Sequence, residues 1–306
     1  MPSTDALVSV CLPVRNGAHR LEKVIRSVLA QNHDNLELVI SDNASTDGTE
    51  ELCRDLARGD ARITYHRQPE NVGLLNNFIA AMRLARGPFF RWVGDDDWLA
   101  PNCVSRCLKE FAADDRLILV TMQVSFVGVD GTTETAPYRG HALSSHDPVE
   151  RFAEMLRLLN RSYLLIDPLY GLMRRAAIVP IPRRNMLRED QIFAGKMALA
   201  GPWGHVNEVL GQRGWRDETR PELARRLGVP AWHAHAATAL QCRELLRYAG
   251  TADLDPAQRL RVRAAVVQWY LGRHQRTMAG RGRRLAGLAG RLVVSRRTPE
   301  RTGQVR

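Results

Sequence analysis

Cysteine is scarce and poorly placed for bonding: the 306 residues hold five, at positions 11, 53, 103, 107 and 242, an odd number with no C-x-x-C spacing. That pattern argues against a disulfide framework or a paired-cysteine zinc site and fits a reducing compartment. Cys103 and Cys107 can share a helix face, where ordinary burial is the expected reading. No run approaches the ~18 consecutive apolar residues of a membrane-spanning helix. The start, MPSTDALVSVCLPV, lacks the basic segment and small-residue cleavage site of a signal peptide, so Leu7 to Val14 reads as a first strand. A cytoplasmic location is the expectation. No G-x-G-x-x-G follows that strand and no P-loop motif occurs anywhere, which disfavours dinucleotide oxidoreduction and P-loop chemistry.

What is present is an average globular composition, 44% hydrophobic and 25% charged, in a chain long enough for about two domains. The net charge of +11 is uneven. Residues 273–306 hold ten Arg against Glu300 alone, a net of +9. Such a tail suits an anionic membrane surface, nucleic acid or another polyanion, or is simply a solvated end. Leu285, Leu288, Leu292 and Val293 recur there at nearly helical spacing, as in a helix lying on a bilayer, although Gly280, Gly282, Gly287 and Gly290 weaken it.

From Val8 onward strand-like and helix-like segments alternate. VSVCLPV is followed by Leu21, Val24, Ile25, Val28 and Leu29 at helical spacing, then by the strand Leu36 to Ser41. Leu52 and Leu56 mark a second helix, Arg62 to Arg67 a third strand, Leu75 to Met82 a third helix and Pro88 to Val93 a fourth strand. Such units imply a mainly parallel sheet covered on both faces. Further along, a strand is expected at Leu117 to Phe126, a helix at Pro148 to Leu159, a strand at Leu169 to Arg174 and a helix at Glu189 to Ala200. Trp203 to Trp215 reads as a strand pair or extended loop. Two long helices, Pro221 to Tyr248 and Pro256 to Met278, complete the pattern.

Ligands of a parallel sheet bind beyond the carboxyl ends of its strands. Arg15, Asn16 and Gly17 follow strand one, Asp42 and Asn43 strand two, and Glu70, Asn71 and Gly73 strand three. Gly94-Asp95-Asp96-Asp97-Trp98 follows strand four. Three adjacent carboxylates repel one another unless a cation lies between them, and hard oxygen ligands suit Mg²⁺ or Mn²⁺. The alternative is an acidic turn capping the helix that begins near Pro101.

These residues resemble the family 2 glycosyltransferases of the GT-A fold. The resemblance rests on VSVCLPVRNGAHRLEKVIRSVLAQ, LELVISDNASTDGT, ENVGLLNNFIAAMRLARGPFFRWVGDDDWLAP and LREDQIFAGKMALAG, in that order, from Val8 to Gly201. It implies an α/β fold of GT-A type, Rossmann-like, with a C-terminal helical appendage. Residues 1–216 would form the transferase domain, divided into a nucleotide half at 1–100 and an acceptor half at 101–216. A helical region at 217–280 and the basic tail at 281–306 would follow. The implied reaction is inverting transfer of a sugar from a UDP-, dTDP- or GDP-linked donor to a hydroxyl. The acceptor would be a saccharide, lipid-linked or small molecule, as in cell-envelope polysaccharide synthesis, with peripheral contact of the tail on the inner membrane face.

Carried over residue by residue, the resemblance implies that Pro13, Val14, Arg15 and Asn16 border the nucleotide pocket and that Asp42, beside Asn43, accepts a hydrogen bond from the base. A helix-capping role for Asp42 or Asn43 is the alternative. Asn71, Gly73 and Asn77 lead to the diphosphate, although Asn77 fits a polar helix face equally well. Asp95 and Asp97 supply the Asp-x-Asp spacing for ribose and the metal-diphosphate; Asp97 is the first choice as direct ligand, and Asp96 could take the role given to Asp95. The resemblance makes Asp190 the general base, with Glu189 as substitute or partner. Many relatives carry a His after the strand following the base helix, whereas this chain reads GQRGWR. Arg213 could pair with the diphosphate or with Glu208, and Trp215 could stack on a sugar or simply pack. Arg183 and Arg184 hint at an anionic acceptor or form a solvated loop. The competing functions are a noncatalytic nucleotide-sugar or nucleic-acid binder and a sugar-phosphate nucleotidyltransferase; the latter expects a Gly-rich, Lys-containing loop that PVRNGAHRLEK does not supply.

Overall fold

A computed structural model describes residues 4–128, 130–162, 165–214 and 218–274. The expectations for the tail at 281–306 and for Trp215 lie outside the described residues. Strands β1 (Val8–Val14) and β2 (Leu36–Asp42) are buried along their whole length, as parallel strands covered on both faces must be. β3 (Ile63–Arg67) and β4 (Phe89–Trp92) flank them in parallel. The intervening helices are α1 (Leu21–Leu29), α2 (Thr49–Gly59) and α3 (Leu74–Leu84). α1 shows why the spacing works: Leu21, Val24, Ile25 and Val28 turn into the core, while Glu22 and Arg26 face water.

The chain continues through β5 (Trp98–Leu99), α4 (Cys103–Ala113), β6 (Leu119–Val127), β7 (Thr133–Glu134), α5 (Pro148–Arg161) and β8 (Leu172–Arg174). It ends in α6 (Arg175–Ile178), α7 (Glu189–Ala200), β9 (Trp203–Gly214), α8 (Arg220–Arg226), α9 (His233–Thr251) and a last helix, α10, described over 256–274. The sheet order is β3-β2-β1-β4-β8-β6-β9-β5, with β7 beside β6. β8 runs antiparallel to β4 and β6, β7 to β6 and β5 to β9; the other pairs are parallel. Cys103 and Cys107 are both fully buried in α4.

Two sequence expectations change. Trp203 to Gly214 is one long strand, neither a strand pair nor a loop; its register against β6 shifts around Gln123, and residues 207–209 are exposed in succession. A bulge of this kind erases the period-two signature of a strand. The helix expected from Pro221 to Tyr248 is two helices, because Gly228 adopts φ +64° just past α8 and Pro230 follows. The C-terminal helices pack on the sheet's helical layer: Leu245 of α9 and Val262, Val266 and Trp269 of α10 join Val149, Phe152 and Ile192 in one cluster. No described helix is long and apolar enough to cross a membrane.

Candidate active site at the strand exits

The first three strand exits form a polar lattice. Asn16 leaves β1 at φ 53°; its amide donates to Ser45 Oγ at 2.9 Å and its Oδ1 accepts from the Thr46 amide at 2.8 Å. Pro13 and Val14 are buried beneath it, and Arg15 is exposed at the rim. Gly17 must be glycine, since a Cβ there would meet Val14 Cγ2 at 2.7 Å. Asp42 has no exposed surface. Its Oδ1 accepts from the Ser45 amide and hydroxyl at 2.9 and 2.5 Å, and its Oδ2 from Tyr65 Oη at 2.7 Å and Arg67 Nη1 at 3.0 Å. Asn43 accepts from the Val72 amide and donates to Asn71 Oδ1, both at 2.8 Å; that oxygen also accepts from the Gly73 amide at 3.0 Å.

Asn77 does not lie on a polar helix face. It is buried, donates to the Val14 and Ser41 carbonyls at 3.3 and 2.8 Å, and accepts from Ser41 Oγ at 2.8 Å. Its amide ties the ends of β1 and β2 together. The helix that carries it, α3, is preceded by its cap residue Gly73, whose φ of 87° favours glycine.

Beyond β4 the three aspartates diverge. Asp95 pairs with Arg20 on the approach to α1. Asp96 lines a cavity of about 290 Å³ with Lys23, Gln212 and Arg213. Asp97 turns inward and is 3% exposed; its Oδ2 accepts from the Gly94 amide at 2.7 Å and its Oδ1 from Arg213 Nε at 3.1 Å. A Cβ at position 94 would come within 3.0 Å of that carboxylate, so Gly94 allows the turn to close on its own aspartate. Burial pushes the Asp97 carboxyl up, and the Arg213 charge and the Gly94 amide pull against it. Arg213 also pairs with Asp167 and lies 3.5 Å from the Tyr170 ring centroid. Its predicted alternative partner, Glu208, pairs with Arg106 instead. Asp167 and Tyr170 carry no sequence signal; only the fold brings them here.

The base candidate stands at the start of α7. Arg188 enters it at φ 58°, a left-handed conformation, so that Glu189 and Asp190 fall in the first turn. Glu189 is clamped by Arg183, Nε to Oε1 at 2.8 Å, with the guanidinium 4.4 Å from the Phe193 ring centroid and 5.1 Å from that of Trp92. Arg183 is thus an internal partner of Glu189, neither a free anion receptor nor a solvated residue. Asp190 is open to the cleft, yet enclosure by surrounding protein and the Glu189 and Asp167 carboxylates push its carboxyl up to about 6, against the Gln191 amide and Arg188. Helix-end stabilisation of the anion, the sequence-based argument, is the smaller effect here.

Another hollow, about 420 Å³, lies at the amino ends of β6 and β9 beside Tyr138, Trp203 and His205. It contains none of the strand-exit carboxylates. His205 there is held low, to about 4, by burial. As for a metal, no three His, Cys, Asp or Glu side chains cluster among the described residues. Mg²⁺ characteristically takes one or two carboxylates plus substrate phosphates and water. Asp95 and Asp97, paired with Arg20 and Arg213, do not form a closed protein cage among the described residues.

Comparison with known proteins agrees with this geometry. The chain is 41% identical over 103 residues to abequosyltransferase RfbV of Salmonella typhimurium, covering 32% of this chain and 31% of that one. The matched stretches make up less than about a third of the curated relatives. S. aureus TarS in complex with UDP-GlcNAc superposes with a TM-score of 0.59 at 18% identity, over 86% of this chain and 72% of that one. A mannosyltransferase from Pyrobaculum calidifontis in complex with GDP-Man and Mn²⁺ gives 0.52 at 19%, over 89% and 84%. These likenesses establish the GT-A fold. The profile of glycosyl transferase family 2 matches residues 9–178, more than half of the sequence, and together with the strand-exit aspartates this shows that the chain belongs to glycosyl transferase family 2.

Proposed function

We propose that this protein transfers a sugar from a nucleoside-diphosphate sugar to an acceptor hydroxyl with inversion at the anomeric carbon. The observation that carries the reading is Asp190: a carboxylate open to the cleft, its neighbour Glu189 neutralised by Arg183, beside the Asp167–Arg213–Asp97 network. A carboxyl lifted to about 6 is a stronger base than an ordinary aspartate and is still mostly ionised at neutral pH. Asp190 takes the acceptor proton as the hydroxyl attacks. Arg15, Asn16, Asn71 and Gly73 border the nucleotide, and Asp42 reads a base N–H once Arg67, its most exposed partner, swings aside. Mg²⁺ or Mn²⁺ held by Asp97 and Asp95, with Asp96 at the adjoining cavity, would neutralise charge on the departing diphosphate.

UDP-, dTDP- and GDP-linked sugars are the proposed donors, a class supported by the ligands of the two structural neighbours. Saccharide, lipid-linked or small hydroxyl acceptors, as in envelope polysaccharide assembly, are the proposed class. Residues 1–216 form the proposed transferase domain and 217–280 its helical appendage. The test is a panel of UDP-, dTDP- and GDP-sugars with and without Mn²⁺, read by melting temperature and by release of nucleoside diphosphate. One donor class should raise the melting temperature and turn over, more strongly with metal. No shift and no turnover with any of them, in either condition, rejects the reading.

A further inference from the structure

α10 is apolar on two sides. Val262, Val266 and Trp269 are buried against α5, α7 and α9. On the opposite side Leu260, Val267 and Leu271 are 70%, 46% and 52% exposed, with Ala264 between them, at the i, i+4, i+7 and i+11 positions of one stripe. Scattered exposed hydrophobics need no explanation, but a stripe along one helix face does. The sequence from α10 onward is electrically one-sided. Residues 256–306 contain thirteen arginines and one acidic residue, so the first 255 residues carry a net charge of only −1. Within α10 itself there is no acid at all; Arg263 is exposed beside the stripe, and Arg261, half-free of its 3.2 Å pairing with Asp147, lies on the other flank.

We infer that the outer face of α10 docks on an anionic bilayer surface, the stripe entering the headgroup boundary with Arg261 and Arg263 on its flanks toward lipid phosphates. Charge decides the occupant. Three aliphatic side chains are too small an area to hold a membrane alone, and stable peripheral binding takes two signals, an apolar one and a polybasic one; this chain segment supplies both. A second copy of the chain would bring the same arginines face to face and is disfavoured by repulsion. The inference is independent of the sugar-transfer reading and adds to it a location for the acceptor, at a membrane surface.

The experiment is co-sedimentation of the full chain with vesicles of phosphatidylglycerol and phosphatidylethanolamine, against phosphatidylcholine vesicles, for wild type and for the double variant Leu260→Asp/Leu271→Asp. Both positions are exposed, and equal melting temperatures check that the variant folds. Expected are binding to the anionic vesicles only, its decline with salt, and a loss of at least about tenfold in the variant. Undiminished binding by the variant would show that tail charge acts alone and overturn the role of α10. So would failure of wild type to sediment with anionic vesicles, or light scattering that finds a dimer which the double substitution dissociates. None of these results depends on turnover, so they leave the proposed reaction to its own test.

Discussion

The two halves of the cleft are built on different principles. Around the exits of β1 to β3, polar side chains are satisfied by one another: Asp42 by Ser45, Tyr65 and Arg67, Asn43 by Asn71, and Asn77 by Ser41 and Val14. Partners there lie 3 to 63 residues apart, and most are neutral. On the β4, β9 and α7 side, charge dominates. Arg213 reaches 116 residues back to Asp97 and 46 back to Asp167, and at Asp190 burial and the Glu189 and Asp167 carboxylates outweigh the opposing Arg188 charge. The first half is a rigid cradle. The second gathers charged groups around Asp190, the proposed base.

The sharpest way to break this comparison is Asp190→Asn. It should lower the rate of sugar transfer by about 10²- to 10⁴-fold while leaving nucleotide binding by calorimetry intact. In the wild type the rate should rise with pH through about 6, as Asp190 loses its proton. The sign for stability is opposite. A carboxyl raised from the ordinary 3.8 to about 6 in the folded state loses stability as pH climbs through that window, so Asp190→Asn should melt higher than wild type at pH 7 and equally below about pH 4. Near-normal turnover by the variant removes Asp190 from the chemistry.

Next in size is Arg183→Met. Both partners of the Arg183–Glu189 pair are nearly buried, at 5% and 11% side-chain exposure, and removing one should cost about 3–5 kcal/mol in denaturant unfolding. A loss below about 1 kcal/mol would mean that Glu189 is solvated and the clamp unimportant. Asn77→Ala should cost about 1–3 kcal/mol through the unpaired Ser41 and Val14 groups and weaken nucleotide binding without shifting the pH profile. A shifted profile would tie the cradle to the proton-moving half and blur the distinction. The smallest effect belongs to Glu22→Gln on the outer face of α1, whose partner Arg26 is 75% exposed; less than about 0.5 kcal/mol is expected.

Much of the cradle was legible in advance because its signals are local. Apolar runs gave β1 and β2, the helical spacing gave α1 and α3, and the residues after each strand fell at the carboxyl edge where a parallel sheet binds. Glu189 and Asp190 open α7 at the expected position. Three things were not legible. β9 hid behind its bulge, Arg183 gave no hint of its stacking on Phe193 and Trp92, and nothing marked Asp167, or Tyr170 within its expected strand, as neighbours of Arg213.

The sequence by itself determined the alternation of strand and helix, the family, the row of acids after β4 and the concentration of arginine beyond residue 256, because each is a property of neighbours along the chain. Only the tertiary structure decided that Asp97 faces Arg213, that Asn77 serves the strands, that Arg183 silences Glu189 but not Asp190, and that one side of α10 is left bare. Those outcomes depend on which distant groups share a low-dielectric space, and burial and Coulomb energy are set by three-dimensional neighbours, which chain order does not specify.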